Sequence, residues 1–291
     1  MVSTGCKNHT LLLNEGKSGH FLFIIPGIGG RCEGFRRLAN HFGEECTVYG
    51  FHMVGTCQAE EPLCCIESIA AQNLLWLKEI QPKGPYFILG HSFGAFVACE
   101  MVKQLSLEED DPSSVILLDQ EAPVEPILMP EYDPVTFVLR LTVDYCIDFR
   151  VFSAWNKEWS KKLRPALSGM DIRKFAPYIE NFLHGELKVK RRLINLVMRL
   201  VNLRVYNAFI HYLPDGKING KLLLLLASEE SDKRVSEDPA LGWSAFFDAM
   251  EIITVPGNHI SMVFGENGSN IASAIIPRFR SMPNDLPVSC R

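Results

Sequence analysis

Tyr86-Phe87-Ile88-Leu89-Gly90-His91-Ser92-Phe93-Gly94-Ala95 decides how the rest of the chain is read. A short apolar run ends in Gly-His-Ser-Phe-Gly and passes directly into the largely apolar segment Ala95–Val102. That order predicts a buried strand, a sharp turn and a buried helix, with Ser92 at the apex of the turn. So tight a turn strains the backbone of the serine and tolerates only small neighbours, which Gly90 and Gly94 provide because neither has a Cβ. It lifts the Ser92 hydroxyl to the top of a sheet. It also sets the Phe93 N–H at a helix N-terminus, where the amide can receive a developing oxyanion. Gly-x-Ser-x-Gly also occurs in inert crossover turns; the strand before it and the helix after it are what mark Ser92 as a nucleophile.

Working outward, Thr10–Leu13 and His20–Ile25 read as strands, the second ending in the glycine-rich loop Pro26-Gly27-Ile28-Gly29-Gly30. Phe35, Leu38, Ala39 and Phe42 recur at helical spacing, Cys46–Phe51 is a strand, and Ile66, Ile69, Ala70, Leu74 and Leu77 mark a second helix. Beyond the elbow, Val115–Leu118 is a continuous apolar strand that delivers Asp119 at its end. Leu222–Ala227 is another strand, 239–249 is expected to be helical, and Met250–Val255 is the last strand. Gly257-Asn258-His259 forms its exit loop and Ile271–Arg280 a closing helix. Strands alternating with helices predict an α/β fold, a mostly parallel central sheet with helices on both faces. From about Pro130 to Leu213 the alternation stops, and residues such as Phe137, Leu141, Tyr145 and Phe149 recur at helical spacing. Residues 130–213 are therefore expected to be a helical lid inserted into one domain spanning 1–291.

Composition narrows the function. The 291 residues, 47% of them hydrophobic, can bury one large core. A formal net charge of −5 argues against a nucleic-acid partner. No apolar run approaches the ~20 residues of a membrane-spanning helix, and Met1–Lys7 lacks the charged-then-apolar pattern of a signal peptide. Nine cysteines lie without metal-ligand spacing, Cys99 and Cys146 within apolar runs, and are read as reduced thiols in a cytoplasmic protein.

A serine hydroxyl needs a base within hydrogen-bond reach and a third group to orient that base. His259, in a turn past the last strand, is the favoured base. His91, inside the elbow, is expected to point elsewhere, and His184 and His211 belong to the lid. Two acids compete. Asp119 ends the strand after the nucleophile helix, and Asp232, with Glu229 and Glu230 nearby, follows the next one. Both reach the carboxyl edge of the sheet and both satisfy the chain order Ser, acid, His of α/β-hydrolases, so chemistry leaves the choice open.

Lys83–Ala95, Phe96–Leu105 with its Ala-x-Glu-Met sequence, and Leu22–Pro26 with its glycine loop closely resemble the type I thioesterase domain family, the terminal thioesterases of fatty-acid, polyketide and nonribosomal peptide synthases. Tyr212-Leu213-Pro214, Ile218–Lys221 and Val255–His259 share the resemblance. It implies an α/β-hydrolase fold with Asp119 as the acid. It also implies a serine thioesterase that releases an acyl, polyketide or peptidyl chain from a phosphopantetheine carrier through an acyl-Ser92 intermediate, with no metal or redox cofactor. An acyl or peptidyl carrier protein, or other modules of a megasynthase, would be the partner, for a stand-alone enzyme or a terminal domain alike. In one respect the chain departs from the family, which commonly carries His-Pro before the first glycine loop where this chain has Pro26-Gly27. By correspondence the second oxyanion donor falls on the Ile28 N–H, a backbone group indifferent to side-chain change. A carboxylesterase or lipase on the same scaffold, or a weak carrier-binding module, are the rival expectations. Between Trp155 and Arg204 twelve Lys/Arg face four Asp/Glu, densest at Lys188, Lys190, Arg191 and Arg192. A basic lid of this kind is suited to an acidic carrier protein or the phosphate of its pantetheine arm, or is simply a solvated helix face.

Overall fold

The computed structural model describes residues 9–27, 30–54, 63, 65–107, 114–123, 212–229 and 238–280. Among the described residues seven strands form one sheet: β1 (Thr10–Asn14), β2 (Phe21–Ile25), β3 (Thr47–Phe51), β4 (Phe87–His91), β5 (Ser114–Leu118), β6 (Lys221–Ala227) and β7 (Ala249–Val255). Their spatial order is β1-β3-β2-β4-β5-β6-β7. β1 pairs antiparallel with β3, and every other pairing is parallel.

The central strands β2, β4, β5 and β6 read as near-continuous apolar runs because both of their faces are covered. Successive side chains point to opposite faces, and the two cores divide accordingly. Phe23, Ile25, Ile88, Val115, Leu117, Leu222, Leu224 and Leu226 enter one core; Leu22, Ile24, Leu89, Ile116, Leu118, Leu223, Leu225 and Ala227 enter the other. The first core is closed by α2 (Ile66–Ile80) and α3 (Phe93–Leu107). The second is closed by α1 (Arg36–Asn40), α4 (Ser261–Phe264) and α5 (Gly268–Arg280).

α3 is buried continuously from Phe93 to Val102, as a helix apolar on nearly all sides must be. Its one buried acid is satisfied. Tyr212 Oη donates to Glu100 Oε2 at 2.9 Å and Gln104 Nε2 to Glu100 Oε1 at 2.9 Å. Burial, reinforced by Glu100, pushes the Tyr212 phenol well above its ordinary range, so this hydrogen bond keeps its donor at any physiological pH.

The helix expected over 239–249 is not formed. Leu241 (φ 49°) and Gly242 (φ 80°) are left-handed, only the 3₁₀ turn Trp243–Ala245 follows, and β7 begins at Ala249. The Asp238 carboxylate accepts the Ala240 and Gly242 N–H groups at 2.9 and 2.6 Å, offering the backbone an alternative to helix. Trp243, Phe246 and Phe247 mimic helical spacing but pack as a turn against the first core. Of the expected lid, 130–211 lie outside the described residues; Tyr212 and Leu213 are non-helical. Among the described residues no helix is long and apolar enough to cross a membrane.

Candidate active site

Ser92, Asp119 and His259 follow β4, β5 and β7, and Gly27 follows β2, so all four stand at the carboxyl edge of the parallel strands. Ser92 sits at φ 54°, a left-handed conformation that costs a non-glycine residue about 1–3 kcal/mol and must be enforced by its surroundings. Close packing does so. A Cβ on Gly90 would stand 2.6 Å from Ala95 Cα, and one on Gly94 would stand 2.6 Å from Pro26 O, nearer than real Cβ atoms come. The Ala95 N–H donates to Ser92 C=O at 2.8 Å and closes the turn. α3 opens at Phe93, so its amide lies in the first turn, at the positive end of the helix dipole. Ile28 lies outside the described residues.

Asp119 is 2% exposed and also left-handed, at φ 49°. Its N–H donates to Leu225 C=O at 2.8 Å, and the Ala227 N–H donates to its Oδ1 at 3.0 Å, which locks the residue to β6. Oδ2 is left for His259 Nδ1, at 3.2 Å, and the Asp119 carbonyl oxygen lies 3.1 Å from the same nitrogen. Two acceptors around Nδ1 require that Nδ1 carry the proton, which leaves Nε2 as the basic nitrogen.

The His259 turn is built from its own sequence. Asn258 Oδ1 accepts the Ile260 and Ser261 N–H groups at 3.1 and 2.8 Å, and Ser261 Oγ accepts the Asn258 N–H at 2.8 Å. This reciprocal cap starts α4. Gly257 precedes it at φ 108°, where a Cβ would also meet Asn267 Nδ2 and Ser261 Oγ at 2.7 Å.

His91 does not point away from the site. Its Nε2–H donates to His259 C=O at 2.9 Å, and the two imidazoles stack with centroids 4.8 Å apart, 30° between planes. Burial first, and the neighbouring His259 second, push its pKa down to about 3. Nothing in hydropathy or spacing signals this contact; the only cue was a histidine beside the serine. The structure thus brings Asp119 against His259 and His91 beneath it. Ser92 and His259 are not hydrogen-bonded to each other among the described residues, a contact that commonly closes only with substrate. Glu229 is exposed at the end of β6; Glu230, Asp232, Lys188, Lys190, Arg191 and Arg192 lie outside the described residues. Among the described residues no group of three His, Cys, Asp or Glu could hold a metal ion.

The Thioesterase domain family matches this chain at residues 21–128, from β2 past Asp119. Indigoidine synthase of Dickeya dadantii (strain 3937) is 36% identical over 102 residues, 35% of this chain and 7% of that protein. A dimodular nonribosomal peptide synthase of Bacillus subtilis (strain 168) is 32% identical over 98 residues, 34% of this chain and 4% of that protein. The alignments thus span less than a tenth of either relative. Among solved structures, a four-domain nonribosomal peptide synthetase bound to AMP and glycine superposes with TM-score 0.72 at 19% identity over 95% of this chain and 20% of its own. A type II thioesterase of the yersiniabactin pathway gives 0.63 at 20% identity over 94% of this chain and 100% of its own. The resemblance to thioesterase domains of nonribosomal peptide and polyketide synthases is borne out, and the fold is the α/β-hydrolase fold those domains share.

Proposed function

We propose that the chain is a serine thioesterase that releases an acyl, polyketide or peptidyl chain from the phosphopantetheine arm of a carrier protein. The observation that carries this reading is the Asp119-held imidazole of His259 standing at the same sheet edge as the strained Ser92 elbow. His259 Nε2 takes the Ser92 proton as Oγ attacks the thioester carbonyl. The Phe93 N–H, with the Ile28 N–H, receives the oxyanion. The carbon–sulfur bond then breaks, the leaving thiolate takes the proton from the His259 imidazolium, and an acyl-Ser92 ester remains. Water, deprotonated by the same histidine, or an internal nucleophile of the acyl chain then frees the product. Every step uses groups of this chain.

One relative is a dimodular nonribosomal peptide synthase and one structural neighbour a four-domain nonribosomal peptide synthetase, which supports a carrier protein or neighbouring module as partner. The basic cluster Lys188, Lys190, Arg191 and Arg192 supports it by its charge alone. The test is release of free thiol from medium- and long-chain acyl-pantetheine thioesters, beside matched oxygen esters and Ser92→Ala. The expected outcome is turnover of the thioesters, with kcat lowered about 10⁴-fold or more in Ser92→Ala. Preference for the oxygen esters would favour the carboxylesterase or lipase instead.

A further inference from the structure

We propose that His91 is a positioning residue for the catalytic base. Its Nε2–H, donated to His259 C=O, fixes where the His259 imidazole, which stacks on the His91 ring, stands beside the elbow. This rests on the reading of His259 as the base of Ser92.

His91 is well placed to serve as a foundation. It is the last residue of β4, paired across the sheet with Leu118, and is 3% exposed. The rings of Phe35 and Phe264 meet it edge to face, with centroids 6.0 and 5.7 Å away. Gly27 packs close against another side, where a Cβ would stand only 3.3 Å from His91 Nδ1. The ring is therefore walled in, and its donor projects onto a backbone atom of a residue 168 positions later. The same imidazole supplies two things: a flat face for the stack and an N–H on its far edge. Phenylalanine keeps the face without the donor, and glutamine keeps the donor without the face.

Neutrality fits the task. With one proton on Nε2, His91 presents an uncharged face to His259 while that ring gains and loses its proton. A charged His91 would oppose the imidazolium that forms in each acyl-transfer step. Burial holds His91 neutral throughout the range in which a histidine base operates. The reward for such placement is large, since misplacing a reacting group by ~1 Å can lower turnover about 10²-fold.

The experiment compares wild type, His91→Gln and His91→Phe by thioester turnover and by the downfield proton-NMR resonance of the His259 Nδ1–H, assigned by its loss in His259→Ala. The expected result for His91→Phe is a kcat lower by about tenfold to a hundredfold, KM within about twofold and the resonance broadened away. His91→Gln should keep the resonance and most of kcat. Retention of the resonance in His91→Phe, whatever its kcat, overturns the proposal, as does a Gln variant that falls as far as the Phe variant. If His91→Phe fails to fold, His91→Met, which also lacks a donor, is read in its place. If wild type turns over no thioester, the proposed function fails, while the resonance still decides the role of His91.

Discussion

Ser92 and His259 stand on the same sheet edge, yet the contacts that hold them reach over different lengths of chain. The serine elbow is almost self-contained. Gly90 and Gly94 leave the room the turn needs, the Ala95 N–H closes onto Ser92, and the end of β2 and the residues just after it press in, through Ile25 O and Pro26 O against Gly94 and Gly27 against Ser92. The base side is half local and half distant. Asn258 and Ser261 shape the turn from within, but the imidazole itself is set by Asp119 and by His91, 140 and 168 residues away. A strained serine must be enforced by its immediate neighbours, because the strain lies in its own φ. A base can be assembled from wherever the sheet brings acceptors together.

The largest test of this contrast is Asp119→Ala. It removes one of the two acceptors of His259 Nδ1–H but leaves the carbonyl oxygen at 3.1 Å. We expect kcat to fall about 10³-fold, less than in Ser92→Ala, because the carbonyl still selects the tautomer. Equal losses in the two variants, measured on one thioester, would show that the carbonyl contributes nothing. Next, Gly94→Ala drives a methyl into the backbone of β2 and α3 cannot yield. A loss of about 3 kcal/mol or more in denaturant unfolding is expected, against a near-neutral outcome if the elbow can relax.

His91 gives a pH signature of the distant contact. Folding depresses its pKa to about 3 from the 6.5 of a free imidazole. His259 opposes its protonation, while Asp119 and the His259 carbonyl favour it; the walls contributed by Phe35 and Phe264 are apolar. As pH falls below about 6.5 the unfolded chain takes up the proton and the folded one does not, so stability is full above that pH. It drains toward pH 3 at up to about 1.4 kcal/mol per unit. Unfolding free energies of His91→Gln should fall more shallowly between pH 6.5 and 4.5; parallel curves would contradict this. Smallest is Asn258→Ala, which removes a cap worth about 1 kcal/mol. Its melting temperature should drop slightly while kcat drops more, because the cap orients His259 as well as starting α4.

The elbow, the succession of strands and helices along the chain and the place of His259 past the last strand were legible in the sequence, for each is written in short-range pattern. Gly90-x-Ser92-x-Gly94 carries its own geometry, and apolar runs of four to six residues announced strands of the central sheet. The region from Asp238 to Phe247 was misread because hydrophobic spacing alone cannot see a carboxylate capturing two backbone amides. Asp119 stood level with Asp232 on chemistry, and resemblance rather than spacing favoured it. In the fold Asp119 Oδ1 is held by β6 and its Oδ2 meets His259; Asp232 lies outside the described residues.

Residue order along the chain was enough for the α/β alternation and the sharp serine turn, because these depend on neighbours a few positions away. Tertiary structure brought Asp119 against His259 and set His91 beneath the His259 ring. Those contacts depend on β4, β5 and β7 ending at one edge, which is a property of strand order in the sheet and not of any local run of residues.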